Sequence, residues 1–231
     1  DEAQALWEQI AATPRLRLAG VCTHFASPDD DAAFTAEQRR RFLAALARCP
    51  GLDPKKMLVH ADNSAGLETM DGGGPFNAVR VGLMQYGLPP SSGSFLASLR
   101  PEPVLSFHAR IVLVKDLPSG VAVSYNGTRT LTRPSRVAIV AVGYGDGVPT
   151  AASNRGSFLL RGRRCPILGR VTMDQTIIEI GDLPVQVGDE AVLIGRQFGE
   201  SISASEWAER LDTIGYEVVC ALSARLDRRP V

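Results

Sequence analysis

The sequence is poor in the residues that build metal sites and disulfide frameworks. Its four cysteines stand at 22, 49, 165 and 220 with no CxxC pair, and 231 residues hold only three histidines. That spacing argues against structural zinc and against a secreted disulfide scaffold, and it predicts a reduced, cytoplasmic protein without a metal. No apolar run approaches the roughly 20 residues that a membrane helix needs, so no membrane partner is expected. An excess of charge is missing too. The 25 Lys+Arg balance 25 Asp+Glu, which leaves no broad basic surface for nucleic acid. Internal repeats and low-complexity segments are absent. What is present is the composition of a globular domain, 45% hydrophobic and 22% charged. The length is enough to bury roughly 70% of the unfolded surface. The chain opens at Asp1 within a polar, helix-like segment, without a charged-then-apolar leader, and this predicts that more sequence precedes it.

Two rhythms divide the chain. Over residues 1–98 helix and strand alternate: a helix at Glu2–Ala12 and a strand at Arg17–Thr23, then a helix at Ala36–Arg48 with Thr35 and Gln38 as a capping box. A strand at Met57–His60, a short helix at Asn63–Met70 opened by Asn63 or Ser64, and a strand at Asn77–Val81 complete the series. This is the pattern of parallel βα units. A whole (β/α)8 barrel takes about 250 residues, so these three units are a small α/β layer or the tail end of a barrel. Over residues 99–231 strands dominate, at Val104–Val114, Gly120–Tyr125, Arg136–Val142, Phe158–Leu160, Cys165–Met173, Thr176–Ile180 and Glu190–Ile194. One helix, Ser203–Leu211, shows a Ser203/Glu206 capping box. The join falls in Pro89–Pro103, where Pro, Ser and Gly concentrate.

Functional groups in parallel βα architectures gather where strands end and helices begin. Three strand ends here carry such groups: Thr23-His24-Phe25, His60-Ala61-Asp62-Asn63-Ser64 and Arg80-Val81-Gly82. Backbone amides near Ser64 and Gly82-Leu83 are suited to an anion. Each feature has a plainer explanation: a core histidine for His24, a helix cap for Ser64, a pairing with a carboxylate for Arg80. Their concurrence at one end of consecutive strands favours a site. The run Asp71-Gly72-Gly73-Gly74-Pro75 resembles a phosphate loop but follows a helix and precedes a strand, at the end of the sheet that serves stability, and reads as a turn. In the second half, Ser124-Tyr125-Asn126-Gly127, Gly143-Tyr144-Gly145-Asp146-Gly147, Met173-Asp174-Gln175 and Tyr216-Glu217 hold three of the four tyrosines.

In order along the chain, THFAS (23–27), HADNSAG (60–66), NAVRVGLMQYGLPP (77–90), VSYNGT (123–128), VGYGDG (142–147), ILGRVTMDQ (167–175), VLIGRQ (192–197) and IGYEVVCALSARL (214–226) resemble the alanine racemase family. The resemblance implies an α/β plus β fold. Residues 1–98 would be the C-terminal part of a (β/α)8 barrel that binds the cofactor, pyridoxal 5'-phosphate. Residues 99–231 would be a mostly antiparallel β-domain that contributes to the active site of a partner in a head-to-tail homodimer. It implies interconversion of L-alanine and D-alanine by two-base proton transfer, supplying D-alanine for peptidoglycan. By the same resemblance Arg80 meets the pyridine nitrogen, while Ser64, the backbone of Gly82 and Leu83, and Tyr216 hold the phosphate. His24 lies against the cofactor ring. Tyr125 is the catalytic tyrosine, Met173 and Asp174 line the substrate end, and Tyr144 stands at the entrance. Two acid–base groups must face each other for racemisation, and a tyrosine with its ordinary pKa of about 10 needs nearby cations to serve as a base.

One departure accompanies the match. The family's Schiff-base lysine lies early in the barrel, in a lysine-alanine-aspartate-alanine-tyrosine-glycine motif that this chain lacks. Its only lysines are Lys55, Lys56 and Lys115. Lys55 and Lys56 precede a strand, at its wrong end, and Lys115 belongs to the β-rich half. The expectation is therefore a racemase whose 231 residues alone lack one base. The alternatives are a non-catalytic relic that binds the cofactor and a broad-specificity amino-acid racemase. A related barrel-plus-β-domain decarboxylase is disfavoured by the VSYNGT and VTMDQ blocks and by the wrong-end placement of the glycine run.

Overall fold

A computed structural model describes residues 2–70, 72–90 and 94–230. Asp71 of the glycine-rich turn and residues 91–93 of the expected join lie outside these. Two compact units result, Asp1–Glu102 and Pro103–Val231.

The first unit opens with helix α1 (Glu2–Ala12), which buries Trp7 and donates its indole N–H to Pro50 O at 2.9 Å. Strands β1 (Gly20–Cys22) and β2 (Leu58–His60) pair in parallel, Gly20 opposite Leu58 and Cys22 opposite His60. Gly20 is required there, because a Cβ would stand 2.4 Å from Leu58 O. Helix α2 (Ala32–Leu46) connects them and starts four residues before the expected Ala36. Its cap is Asp31, whose carboxylate accepts the Phe34 N–H at 2.8 Å. The anticipated Thr35/Gln38 box is not formed: Thr35 donates to Ser27 O and Asp31 O from within the helix, and Gln38 turns outward to another task.

The expected third strand, Asn77–Val81, is not a strand. It touches the layer through a single parallel bridge between Asn63 and Arg80. Asn77 explains the change. Its side-chain oxygen accepts the Val59 N–H at 2.9 Å while its own N–H donates to Val59 O at 3.0 Å, so side chain and backbone satisfy β2 at one point and leave no ladder to extend. The expected helix at 63–70 is a 3-10 turn, Ala65–Thr69. A second such turn covers Leu83–Tyr86. Gly72 and Gly74 both have left-handed φ, in keeping with a turn at the glycine run. A short helix, α3 (Phe95–Ser98), was not foreseen. Ser94 caps it, and Glu68 accepts the Phe95 and Leu96 N–H groups.

The second unit contains β3 (Phe107–Leu117), β4 (Ala122–Val123), β5 (Arg129–Thr130), β6 (Ser135–Val140), β7 (Ser157–Leu160), β8 (Arg163–Pro166), β9 (Thr176–Glu179), β10 (Glu190–Gln197) and β11 (Glu200–Ile202). An antiparallel sheet runs β8-β7-β10-β3-β6-β9 with β11 on β10, and β4–β5 is a separate hairpin. All four residues of β7 are buried, the pattern of a strand covered on both faces. Helix α4 (Ala204–Leu211) covers it: Trp207 tilts over Phe158 at 6.2 Å and donates its indole N–H to Leu193 O at 2.7 Å. Ser203 caps α4 as expected, accepting the Glu206 N–H at 3.0 Å. The Glu206 carboxylate, however, pairs with Arg164 and Arg210. The strand expected over 165–173 ends at Pro166, and residues 167–175 form a loop that matters below. Helix α5 (Gly215–Cys220) was missed, since its opening glycine is a poor helix former and its paired valines favour a strand by composition.

Candidate active site

In the first unit the parallel segments deliver His24, Ser64, Arg80 and Gly82 to their C-terminal ends. Arg80 gathers them. Its Nη2 donates to Thr23 O at 2.9 Å, Ala61 O at 3.1 Å and His24 Nδ1 at 3.1 Å, and its Nη1 donates to His60 Nδ1 at 2.5 Å. A guanidinium only donates, so His60 must present a bare Nδ1 and carry its proton on Nε2. His24 lies between two donors, Arg80 at its Nδ1 and the Asn63 amide nitrogen 3.5 Å from its Nε2, and accepting from the nearer of the two turns its own proton toward Asn63. His60 suits this role. Burial first, and the neighbouring guanidinium second, hold its pKa below the ordinary 6.5, which keeps the ring neutral. The remaining Nη1–H and the Nε–H of Arg80 meet no acceptor among the described residues.

Ser64 is not the cap its position implied. The residue that turns the chain is Asn63, whose Oδ1 accepts the Gly66 N–H at 2.8 Å. Ser64 instead reaches the next segment, where its Oγ accepts the Gly82 N–H at 2.9 Å. Accepting there leaves its own hydrogen to give. A Cβ built on Gly82 would meet only Ser64 Oγ, at 3.8 Å, so the approach to this backbone is open. Leu83 follows as the first residue of its 3-10 turn.

Two supports stand behind these groups in roles that the sequence did not suggest. Gln38 of α2 donates to His24 O at 2.6 Å and accepts the Ala26 N–H at 3.1 Å, which clasps the loop after β1 from both sides. Arg39, one residue on, meets the fully buried Asp62 with two bonds of 2.6 and 3.2 Å, and its guanidinium lies 4.8 Å from the centre of the Phe25 ring. Asp62 sits between His60 and Ser64, so this ion pair anchors the end of β2 to α2.

In the second unit the loop 167–175 is the common backbone of the remaining residues. Its Thr172 and Met173 carbonyls accept the Tyr144 and Gly145 N–H groups at 2.9 Å each. Gly143 permits this approach, since a Cβ there would lie 2.1 Å from Thr172 O. Arg225 ties the same turn to the chain's last segment, with Nε 2.7 Å from Asp146 and Nη2 2.6 Å from Asp174. Asp146 also accepts the Gly143 N–H at 2.9 Å. Tyr144, Met173 and Asp174 are thus brought together around Arg225, a residue to which sequence reading gave no role. Tyr125 stands at the tip of the β4–β5 hairpin with 71% of its surface exposed. The hairpin touches the same loop where the Ser124 hydroxyl donates to Arg170 O at 2.7 Å. Tyr216, half-exposed, lies in α5.

The donor set of the first unit fits pyridoxal phosphate in its chemistry. Arg80 has N–H groups to offer a ring nitrogen, and Ser64 has a hydroxyl hydrogen to offer a phosphate. Gly82 is a partial exception, because its N–H is already given to Ser64. Lys55 and Lys56 precede β2, at the end opposite these groups, with Lys56 3.5 Å from Asp53. Lys115 lies in β3.

Residues 104–230 match the family model for the alanine racemase C-terminal domain, and residues 1–90 match that for the N-terminal domain. An alanine racemase of Symbiobacterium thermophilum is 42% identical over 229 residues, which cover 98% of this chain and 60% of that protein. One from Halothermothrix orenii is 41% identical with the same coverages. Among solved structures, alanine racemase from E. faecalis superposes with a TM-score of 0.89 at 31% identity, over 98% of this chain and 60% of that one. The Bacillus anthracis enzyme with bound L-Ala-P gives 0.84 at 37%, over 95% and 56%. The chain spans about 60% of the length of these curated relatives. Part of a (β/α)8 barrel followed by a mostly antiparallel β-domain is the architecture these matches share with it. With the C-terminal model alone matching more than half of its residues, the chain belongs to the alanine racemase family.

Proposed function

We propose that this chain forms part of a pyridoxal-phosphate enzyme that interconverts L-alanine and D-alanine by two-base proton transfer. The observation that carries the reading is Arg80, fixed by two carbonyls and two histidine nitrogens while keeping N–H groups unspent, at the same strand ends that present the Ser64 hydroxyl. When bound, pyridoxal phosphate supplies the electron sink that acidifies the Cα–H of an amino acid. Arg80 would meet the pyridine nitrogen as a donor that does not surrender its proton, which would leave that nitrogen unprotonated. His60 and His24, both accepting from Arg80, hold the guanidinium in place. Ser64 would bind the phosphate together with the backbone of Gly82 and Leu83, and the family resemblance gives the same task to Tyr216.

Tyr125 holds and moves the proton at its phenolic oxygen on one face of Cα. The opposing base is the family's lysine, which has no counterpart among Lys55, Lys56 and Lys115. Exposure of Tyr125 on a hairpin tip supports a role in a partner's site, hence a head-to-tail homodimer. Tyr144, Met173 and Asp174, locked by Arg225, line the substrate end of that shared site, which takes alanine or, in the broader alternative, other small amino acids. Residues 1–98 act as the cofactor-binding part and 99–231 as the β-domain that completes the partner's site. No described helix is long and apolar enough to cross a membrane. We place the enzyme in the cytoplasm, making D-alanine for peptidoglycan. A second reading, a fold that binds the cofactor without turnover, is favoured by the position of the three lysines alone.

Titration of the chain with pyridoxal phosphate, followed by tryptophan fluorescence, tests the assignment. Saturable quenching is expected, weakened about tenfold in Ser64→Ala, the worth of one hydrogen bond, and lost in Arg80→Ala. Equal binding by Arg80→Ala and the unsubstituted chain would contradict it.

A further inference from the structure

The hairpin that carries Tyr125 departs from ordinary backbone. β4 and β5 contribute only two pairs, Ala122 with Thr130 and Val123 with Arg129. Directly after β4, Ser124 sits at φ 62° and ψ −172°, and Asn126 follows at φ 61° and ψ 7°. The left-handed region tolerates an asparagine. The conformation of Ser124 is one that glycine adopts freely and a residue with a Cβ resists. Relative to an extended strand, a positive φ at Ser124 turns the following peptide by about half a revolution about the N–Cα bond. It therefore decides the direction in which Tyr125 leaves the sheet. With 71% of its surface exposed, the Tyr125 ring has little packing of its own to do so.

Several contacts hold Ser124 in this state. Its hydroxyl donates to Arg170 O at 2.7 Å. The accepting loop is fixed on either side of Arg170: Asn154 Oδ1 accepts the Gly169 N–H at 2.7 Å, and Ser153 Oγ accepts the Val171 N–H at 3.0 Å. Gly169 allows the hairpin to lie this close, since a Cβ there would stand 2.5 Å from Val123 O and 2.8 Å from Ser124 Cβ. Asn154 Nδ2 reaches Thr128 Oγ1 at 3.2 Å and closes the far side of the tip. Below, Val123 is anchored in a buried cluster with Leu131, Val137 and Leu168. A glycine would serve a turn of this shape without strain. A serine brings the hydroxyl that selects one orientation.

We propose that Ser124 is a positioning residue for Tyr125, its hydroxyl bond to Arg170 O offsetting a strained backbone so that the phenol is held in one direction. This rests on the acid–base role assigned to Tyr125. The test compares Ser124→Ala, Ser124→Gly and Tyr125→Phe. Two measurements are made: amide hydrogen exchange on the chain, and alanine racemisation with pyridoxal phosphate once the lysine-bearing segment of the Symbiobacterium thermophilum relative is joined to it. Ser124→Ala keeps the Cβ and loses the anchor. We expect kcat to fall by about tenfold or more with KM within about twofold, as for a reacting group displaced by a fraction of an ångström to 1 Å. Exchange at 123–128 should rise by about tenfold as the local opening becomes easier. Ser124→Gly tolerates the backbone without strain, so its kcat should lie between those of the alanine variant and the unsubstituted enzyme. A merely structural serine would lower Tm and leave kcat per folded molecule unmoved. Ser124→Ala with unchanged exchange, or with full kcat while Tyr125→Phe is inactive, overturns the proposal. An active Tyr125→Phe instead overturns the acid–base reading beneath it.

Discussion

Arg80 is a cation surrounded by acceptors, and its neighbour His60 can accept only while neutral. Protonation of His60 would place two positive charges in direct contact and remove one of the four bonds that fix the guanidinium. The folded pKa of His60 lies below 6.5, so as pH falls the unfolded chain takes up this proton first. Its contribution to stability is therefore complete above about 6.5 and is lost as pH falls from there through the lower folded pKa. Urea unfolding at pH 8 and at successively lower pH should show a loss for the unsubstituted chain that is smaller in His60→Asn, which keeps an acceptor and cannot titrate. Identical pH dependence in the two proteins would mean that Arg80 does not depend on a neutral His60. Sequence reading named Arg80 and His24 and placed His60 at a strand end, yet gave His60 no task. The Arg80 clasp spans 20 residues to His60 and 57 to Thr23, and such pairings become visible only when the strand ends are superimposed.

At the scale of elements, the junction of α2 with the end of β2 rests on Arg39 and Asp62, both buried. Removing one member of a buried pair leaves the other charge without compensation, at a cost of about 3–5 kcal/mol. Arg39→Met should destabilise by that amount in urea unfolding. Arg39→Met combined with Asp62→Leu should recover most of the loss, because an apolar pair of similar volume is often neutral. A loss under about 1 kcal/mol in the single variant would show that the pair is not holding this junction. Helix α1 was legible to the residue because its apolar positions fall at helical spacing and one of them, Trp7, is buried. The strand expected at Asn77–Val81 was not, since an asparagine side chain can stand in for ladder bonds without any change of composition. The Arg225 lock was equally hidden, with Asp146 79 residues away and Asp174 51 residues away.

For the whole molecule, the two rhythms of the sequence correspond to the kinds of structure found, a short parallel layer followed by an antiparallel sheet. Strand alternation and turn residues made that division readable. The tethers between distant loops, on which the site groups depend, had no periodicity to announce them. On the function proposed above, this chain holds cofactor-binding groups and one base of a two-base racemase, and none of Lys55, Lys56 and Lys115 stands where the second base is needed. The most direct test is conversion of L-alanine to D-alanine with pyridoxal phosphate, by the chain alone and after the lysine-bearing segment of a relative is joined to it, with Tyr125→Phe in parallel. No turnover by the chain alone, turnover by the joined protein and its loss in Tyr125→Phe are predicted. Turnover by the 231 residues alone, or a joined protein as active with phenylalanine at 125 as with tyrosine, would contradict the account.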